Sequence, residues 1–110
     1  MSPREGRKGK MKVLRELPRE TLDLMPSKTF VSRGPRNMQV GSNVHVLYSL
    51  FQEKPEAVFE IDCGSTYKNH PRTCHTQQAV GRINRDALLP RLLRAYHTNG
   101  GTLIVWMISS

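Results

Sequence analysis

NRDALLPRLLRAYHTNGG, residues 84–101, is the stretch on which the reading of this chain turns. At about 100° per residue, Leu88, Leu92, Tyr96, Leu89 and Leu93 fall within an arc of about 140°, the apolar stripe of an amphipathic helix. Asn84 or Asp86 suits the start of such a helix as its cap. Pro90 belongs in its first turn, and Asn99-Gly100-Gly101 is a C-terminal stop. The run TLIVWMIS, 102–109, then reads as a buried strand reached directly from the helix.

Working back from the helix, EAVFEID, 56–62, alternates cleanly, with Ala57, Phe59 and Ile61 on one face and Glu60 and Asp62 on the other. NVHVLYSLF, 43–51, is rich in β-branched and aromatic residues and reads as a strand with both faces apolar. QEKPE, 52–56, is the turn that joins the two into an antiparallel hairpin. KTFVSR, 28–33, is a shorter strand that ends in a Gly-Pro turn. Between the strands and the helix lies a polar loop, 63–82, with a possible helical start at HTQQAVGR.

The order β-β-β-α-β predicts an α+β fold: a small, mostly antiparallel sheet of about four strands with one C-terminal amphipathic helix packed on it. Residues 1–12 read as a flexible basic arm, 13–27 as a short helical turn or strap, and 28–110 as a single domain. Pro18 and Pro26 keep any helix in the strap short. The second face of the sheet also reads as partly apolar, which calls for the strap or a homodimer to cover it.

Charge is large and uneven. The 110 residues carry a net +8, from 17 Lys and Arg against 9 Asp and Glu. Arg4, Arg7, Lys8, Lys10 and Lys12 against Glu5 give the first twelve residues +4. Lys68, Arg72, Arg82, Arg85, Arg91 and Arg94 against Asp86 give residues 63–97 a further +5. Everything between is close to neutral. A basic excess of this kind concentrates polyanions around a protein.

On the helical wheel Arg91, Arg94 and His97 form a stripe beside the leucines, and residues 87–97 hold no acid to balance it. The expectation is a non-enzymatic accessory protein that binds nucleic acid, RNA slightly favoured. It would touch the phosphate backbone through Arg7, Lys8, Lys10, Lys12, Lys68, Arg72, Arg82, Arg85, Arg91 and Arg94. Aromatics are 6% of the chain, too few for a base-stacking platform. The other reading is a protein-interaction or scaffold module, a homodimer in one form, whose charge serves solubility or an acidic partner. A short basic α/β chain of this format also suits a virus-encoded protein.

CGSTYKNHPRTCH, 63–75, gathers both cysteines and two of the four histidines. Zinc prefers ligands opened by a C-x₂₋₄-C knuckle, whereas these cysteines are eleven apart. The set Cys63, His70 and Cys74 remains as a zinc alternative. A Cys63–Cys74 disulfide is sterically reasonable and needs an oxidising compartment. The favoured reading is a pair of reduced thiols, Cys63 buried at a strand end, with no cofactor. No P-loop, nucleophile elbow, dinucleotide fingerprint or H-E-x-x-H occurs, so no catalytic residue, small-molecule substrate or enzymatic activity is expected. The longest apolar run, LIVWMI, is six residues, far short of the roughly 20 a membrane helix needs. With no secretory leader pattern in MSPREGRKGK, the expected setting is intracellular, cytoplasm or nucleus.

Overall fold

Val58–Asp62 and Thr102–Met107 are strands, as their alternation and β-branched content require, and they pair antiparallel at the centre of the sheet. They belong to a computed structural model that describes residues 11–27, 29, 41–62 and 74–109. In chain order the elements are β1 (Val13–Leu17), a 3₁₀ segment (Arg19–Leu24), α1 (Gly41–Glu53), β2 (Val58–Asp62), α2 (His75–Arg85), β3 (Leu93–His97) and β4 (Thr102–Met107). The four strands lie in the order β1-β2-β4-β3, every neighbour antiparallel.

The fold is therefore α+β with a four-stranded antiparallel sheet, but the order is not β-β-β-α-β. NVHVLYSLF is a helix. Asn43, Leu47 and Phe51, four apart, are buried, while Ser42, His45 and Ser49 are exposed. Both two-residue alternations of this stretch are apolar, so the strand pattern and the stripe of a well-buried helix coincide. Packing against β2 overrides the β-branched propensity. Phe51 meets Phe59 edge to face, with centroids 5.4 Å apart and rings 82° to one another. The helix stops before Pro55, and a turn closed by Ala57 N–H to Lys54 O leads into β2.

The C-terminal helix is also absent. HTQQAVGRINR forms α2, burying Thr76, Ala79, Val80, Ile83 and Asn84 along one stripe. It ends where the longer helix was expected to begin. The Ala87 amide bonds Asn84 O and the Leu88 amide bonds Ile83 O, the paired closure of a Schellman motif with Asp86 as cap. Past Pro90 the chain is extended, and LRAYH is β3, with Leu93 and Ala95 buried and Arg94 and Tyr96 on the opposite face. Leu88, one of the leucines of the supposed stripe, is 42% exposed. Asn99-Gly100-Gly101 is the tip of the β3–β4 hairpin: Gly101 has φ 86° and its amide bonds Thr98 O. That is a type I turn followed by a left-handed residue, which glycine adopts without strain. The proposed strand at 28–33 lies outside the described residues apart from Thr29.

Three layers result. On one face Phe59, Ile61, Leu93, Ala95, Leu103, Val105 and Met107 meet Leu47 and Phe51 of α1 and Ala79, Val80 and Ile83 of α2. On the other, Val58, Ile104 and Trp106 are met by Leu17, Leu22 and Met25. The 3₁₀ segment and its flanks cover the second apolar face within one chain, and residues 13–17, expected as part of a helical turn or strap, are instead the edge strand β1.

Candidate nucleic-acid interface

The register gives the sheet two ends. At one, called here the upper end, β2 and β3 finish and β1 and β4 begin: Asp62 pairs with Thr102 and His97 with Leu103. Both helices also begin there. The Met11 amide donates to Asn43 Oδ1 at 3.2 Å in the first turn of α1. Thr76 Oγ1 donates to Asp62 O at 2.6 Å, tying the first turn of α2 to the end of β2. At the next residue, Gln77 Oε1 lies 3.0 Å from His97 Nε2, and burial pushes the His97 imidazole below its ordinary range. Two helix N-termini aimed to one end add partial positive charge there.

The lower end holds the arginines singled out from sequence, and they do not form a helical stripe. Arg82 and Arg85 lie in the last turn of α2 and share Asp86, at 2.7 and 3.2 Å. Arg91 precedes β3 and pairs with Glu56 at 3.4 Å. Arg19, from the strap, reaches the same Glu56 at 3.5 Å and its backbone oxygen at 2.6 Å. Arg94 is on β3, opposite Trp106, with Nη1 3.3 Å from Thr29 Oγ1 and a buried Nε that has no partner among the described residues. Arg85 likewise buries Nε and Nη1 with no partner among the described residues. Arg91 and Arg94 are three residues apart on non-helical backbone, so the stripe inferred with His97 does not exist. Lys12 is exposed at the upper end and makes no ion pair with a described residue. Arg7, Lys8, Lys10, Lys68 and Arg72 lie outside the described residues.

The charge census follows the same division. The described residues contain Lys12, Arg15, Arg19, Lys54, Arg82, Arg85, Arg91 and Arg94 against Glu16, Glu20, Asp23, Glu53, Glu56, Glu60, Asp62 and Asp86, which cancel. The whole +8 therefore belongs to residues 1–10, Lys28, 30–40 and 63–73. The chain joins the first of these at Met11, leaves 30–40 at Gly41, and enters and leaves 63–73 at Asp62 and Cys74. These four junctions are at the upper end, whereas Lys28 and the start of 30–40 join at Thr29, which meets Arg94 at the lower end.

Sequence reasoning missed a polar cluster on the second face. Glu60 accepts from Arg15 Nε at 2.7 Å and from Thr102 Oγ1 at 2.8 Å. The Thr102 hydroxyl, then the Arg15 guanidinium, hold its carboxyl below the ordinary value against the opposing effect of burial. Arg15 and Glu60 are 45 residues apart, so only the β1–β2 register brings them together.

Cys74 is not a thiol: it is fully buried and disulfide-bonded. A sulfur so engaged is not a thiolate ligand, so the zinc set with Cys63 and His70, both outside the described residues, does not form while that bond stands. Among the described residues no group of His, Cys, Asp and Glu is placed to hold a metal ion, and no helix is long and apolar enough to cross a membrane. No protein-family model matches the chain, nor does any curated protein or solved structure.

Proposed function

We propose that the chain binds a polyanion, and specifically nucleic acid, through phosphate contacts at the upper end of the sheet. One observation carries the reading: the described residues are electrically balanced, and residues 1–10 and 63–73, which together carry +5 of the net charge, join them only at this end. Lys12 and the neighbouring Arg7, Lys8 and Lys10 supply one group of contacts, and Lys68 and Arg72 supply another. Arg82, Arg85 and Arg91 leave the list of contacts, because each already faces an acid. Arg94 leaves it as well, since it faces Thr29 at the other end of β3. Phe51, Phe59 and Trp106 are buried in the two cores, which supports contact with the backbone rather than stacking on bases.

The interaction-module reading loses its main motive, because the second apolar face is covered by Leu17, Leu22 and Met25. The sheet edges are guarded too. β1 is short, exposed, charged at Arg15 and Glu16, and bulged between Val13 and Arg15. Such features discourage strand addition.

The test is an anisotropy titration against single- and double-stranded RNA and DNA. Six phosphate contacts predict that affinity falls by about a thousandfold between roughly 50 and 200 mM salt. Reversal of Lys68 and Arg72 to Glu should weaken binding strongly, whereas Arg91→Gln should leave it unchanged. Absent binding at low salt, or binding indifferent to salt, would overturn the proposal.

A further inference from the structure

We infer that Cys74 is joined to Cys63 of the same chain and that this bond is a structural staple of the mature protein, formed in an oxidising compartment. The inference is independent of the polyanion reading. Cys74 is disulfide-bonded, and the chain has two cysteines in all. Its partner within the chain is therefore Cys63, the residue that follows β2. The bond lies beside a hydrogen bond already described, Thr76 Oγ1 to Asp62 O at 2.6 Å. Two links, one covalent, thus fix the start of α2 to the end of β2.

The sequence around α2 explains why a staple is useful there. Its N-cap is Cys74 itself, which makes no side-chain capping hydrogen bond, and its first turn holds no acid. A helix of 11 residues without a side-chain N-cap bond is marginal on its own. A short closed loop removes unfolded-state entropy without demanding a larger core. Cys74 is 0% exposed and sits in the core cluster with Ile61, Ala79 and Val80. Such burial belongs to an inert structural sulfur rather than to a reactive one. Formation of the bond removes two protons and two electrons from the two thiols. A disulfide oxidant of the exchange type accepts them and leaves as two thiols. Compartments that supply such oxidants are the secretory lumen, the bacterial periplasm and the exterior, not the cytosol. The chain then belongs on that side, not in the reducing setting expected from its sequence.

The experiment uses the full chain made in an oxidising periplasm and, separately, in a reducing cytosol. Each sample is denatured without reductant, treated with iodoacetamide and weighed intact. Thermal melts are recorded with and without a phosphine reductant. The expected result is a monomer with neither cysteine alkylated in the oxidised sample, and a Tm that reduction lowers by about 10 °C or more. Cys63→Ala, which keeps the buried Cys74 in place, should melt low whether or not reductant is present. Two alkylated thiols in the oxidised sample, a disulfide-linked dimer, or a Tm that reduction does not move would overturn the staple. A cytosolic sample that keeps both thiols and melts as high as the oxidised one would overturn the assignment of compartment.

Discussion

Ala87 adopts φ 52°, the left-handed region in which a Cβ crowds the backbone, because the Schellman closure of α2 requires that conformation at this position. Glycine is free of that crowding. Ala87→Gly should therefore raise stability by about 0.5–1 kcal/mol in chemical denaturation, and a loss would show that the turn reshapes to suit alanine. Glu60 provides a second single-residue test. Its folded-state pKa is depressed, so its contribution to stability is present above the ordinary carboxylate pKa and is lost as pH falls through the folded value. Glu60→Gln should destabilise at neutral pH. The gap from wild type should then close as pH falls from about 5 to 3 and below. A gap that stays constant with pH would mean the charge is not the source. Neither position was legible beforehand: an alanine carries no sign of its φ, and the alternation of 56–62 placed Glu60 only on the face opposite Phe59 and Ile61.

At the level of elements, the pieces whose pattern has a single solution were legible. β2 alternates strictly, β4 is a short β-branched run, and the helical start at 75–82 is the amino-terminal part of α2. α1 and β3 were not, and for opposite reasons. In α1 both alternating sets are apolar, so period two and period 3.6 fit the same letters. In β3 and the turn before it, Leu, Arg and Ala favour a helix that the Schellman closure and Pro90 had already ended. What commits 93–97 to the sheet is distant. Asn84 donates to Leu93 O at 3.0 Å and accepts from Leu93 N at 2.8 Å, so its amide completes the outer edge of β3 as a neighbouring strand would. Asn84→Ala would strand two buried backbone groups and should cost roughly 3 kcal/mol. A loss below about 1 kcal/mol would show that water or a rearranged loop replaces the amide.

For the molecule as a whole, the charge excess was legible and its location only half so. The arm and the loop after β2 were named as basic. The arginines downstream of them were counted with the same surface, because sequence does not show that Asp86 and Glu56 face them. Glu56 lies 35 residues from Arg91 and 37 from the Arg19 contact; such pairing exists only once the sheet is assembled. The strand order has a further consequence for the way the protein comes into being. β4 is the last of the four strands to be synthesised, yet it stands between β2 and β3. Until it emerges, β3 has no partner and the cores on both faces lack Leu103, Val105 and Trp106. The nascent chain therefore holds its apolar surface open until β4 emerges and then closes it in one step. The same arrangement makes a stop codon near residue 101 far more damaging than the loss of nine residues from an ordinary terminus, since it removes an interior strand rather than trimming an end.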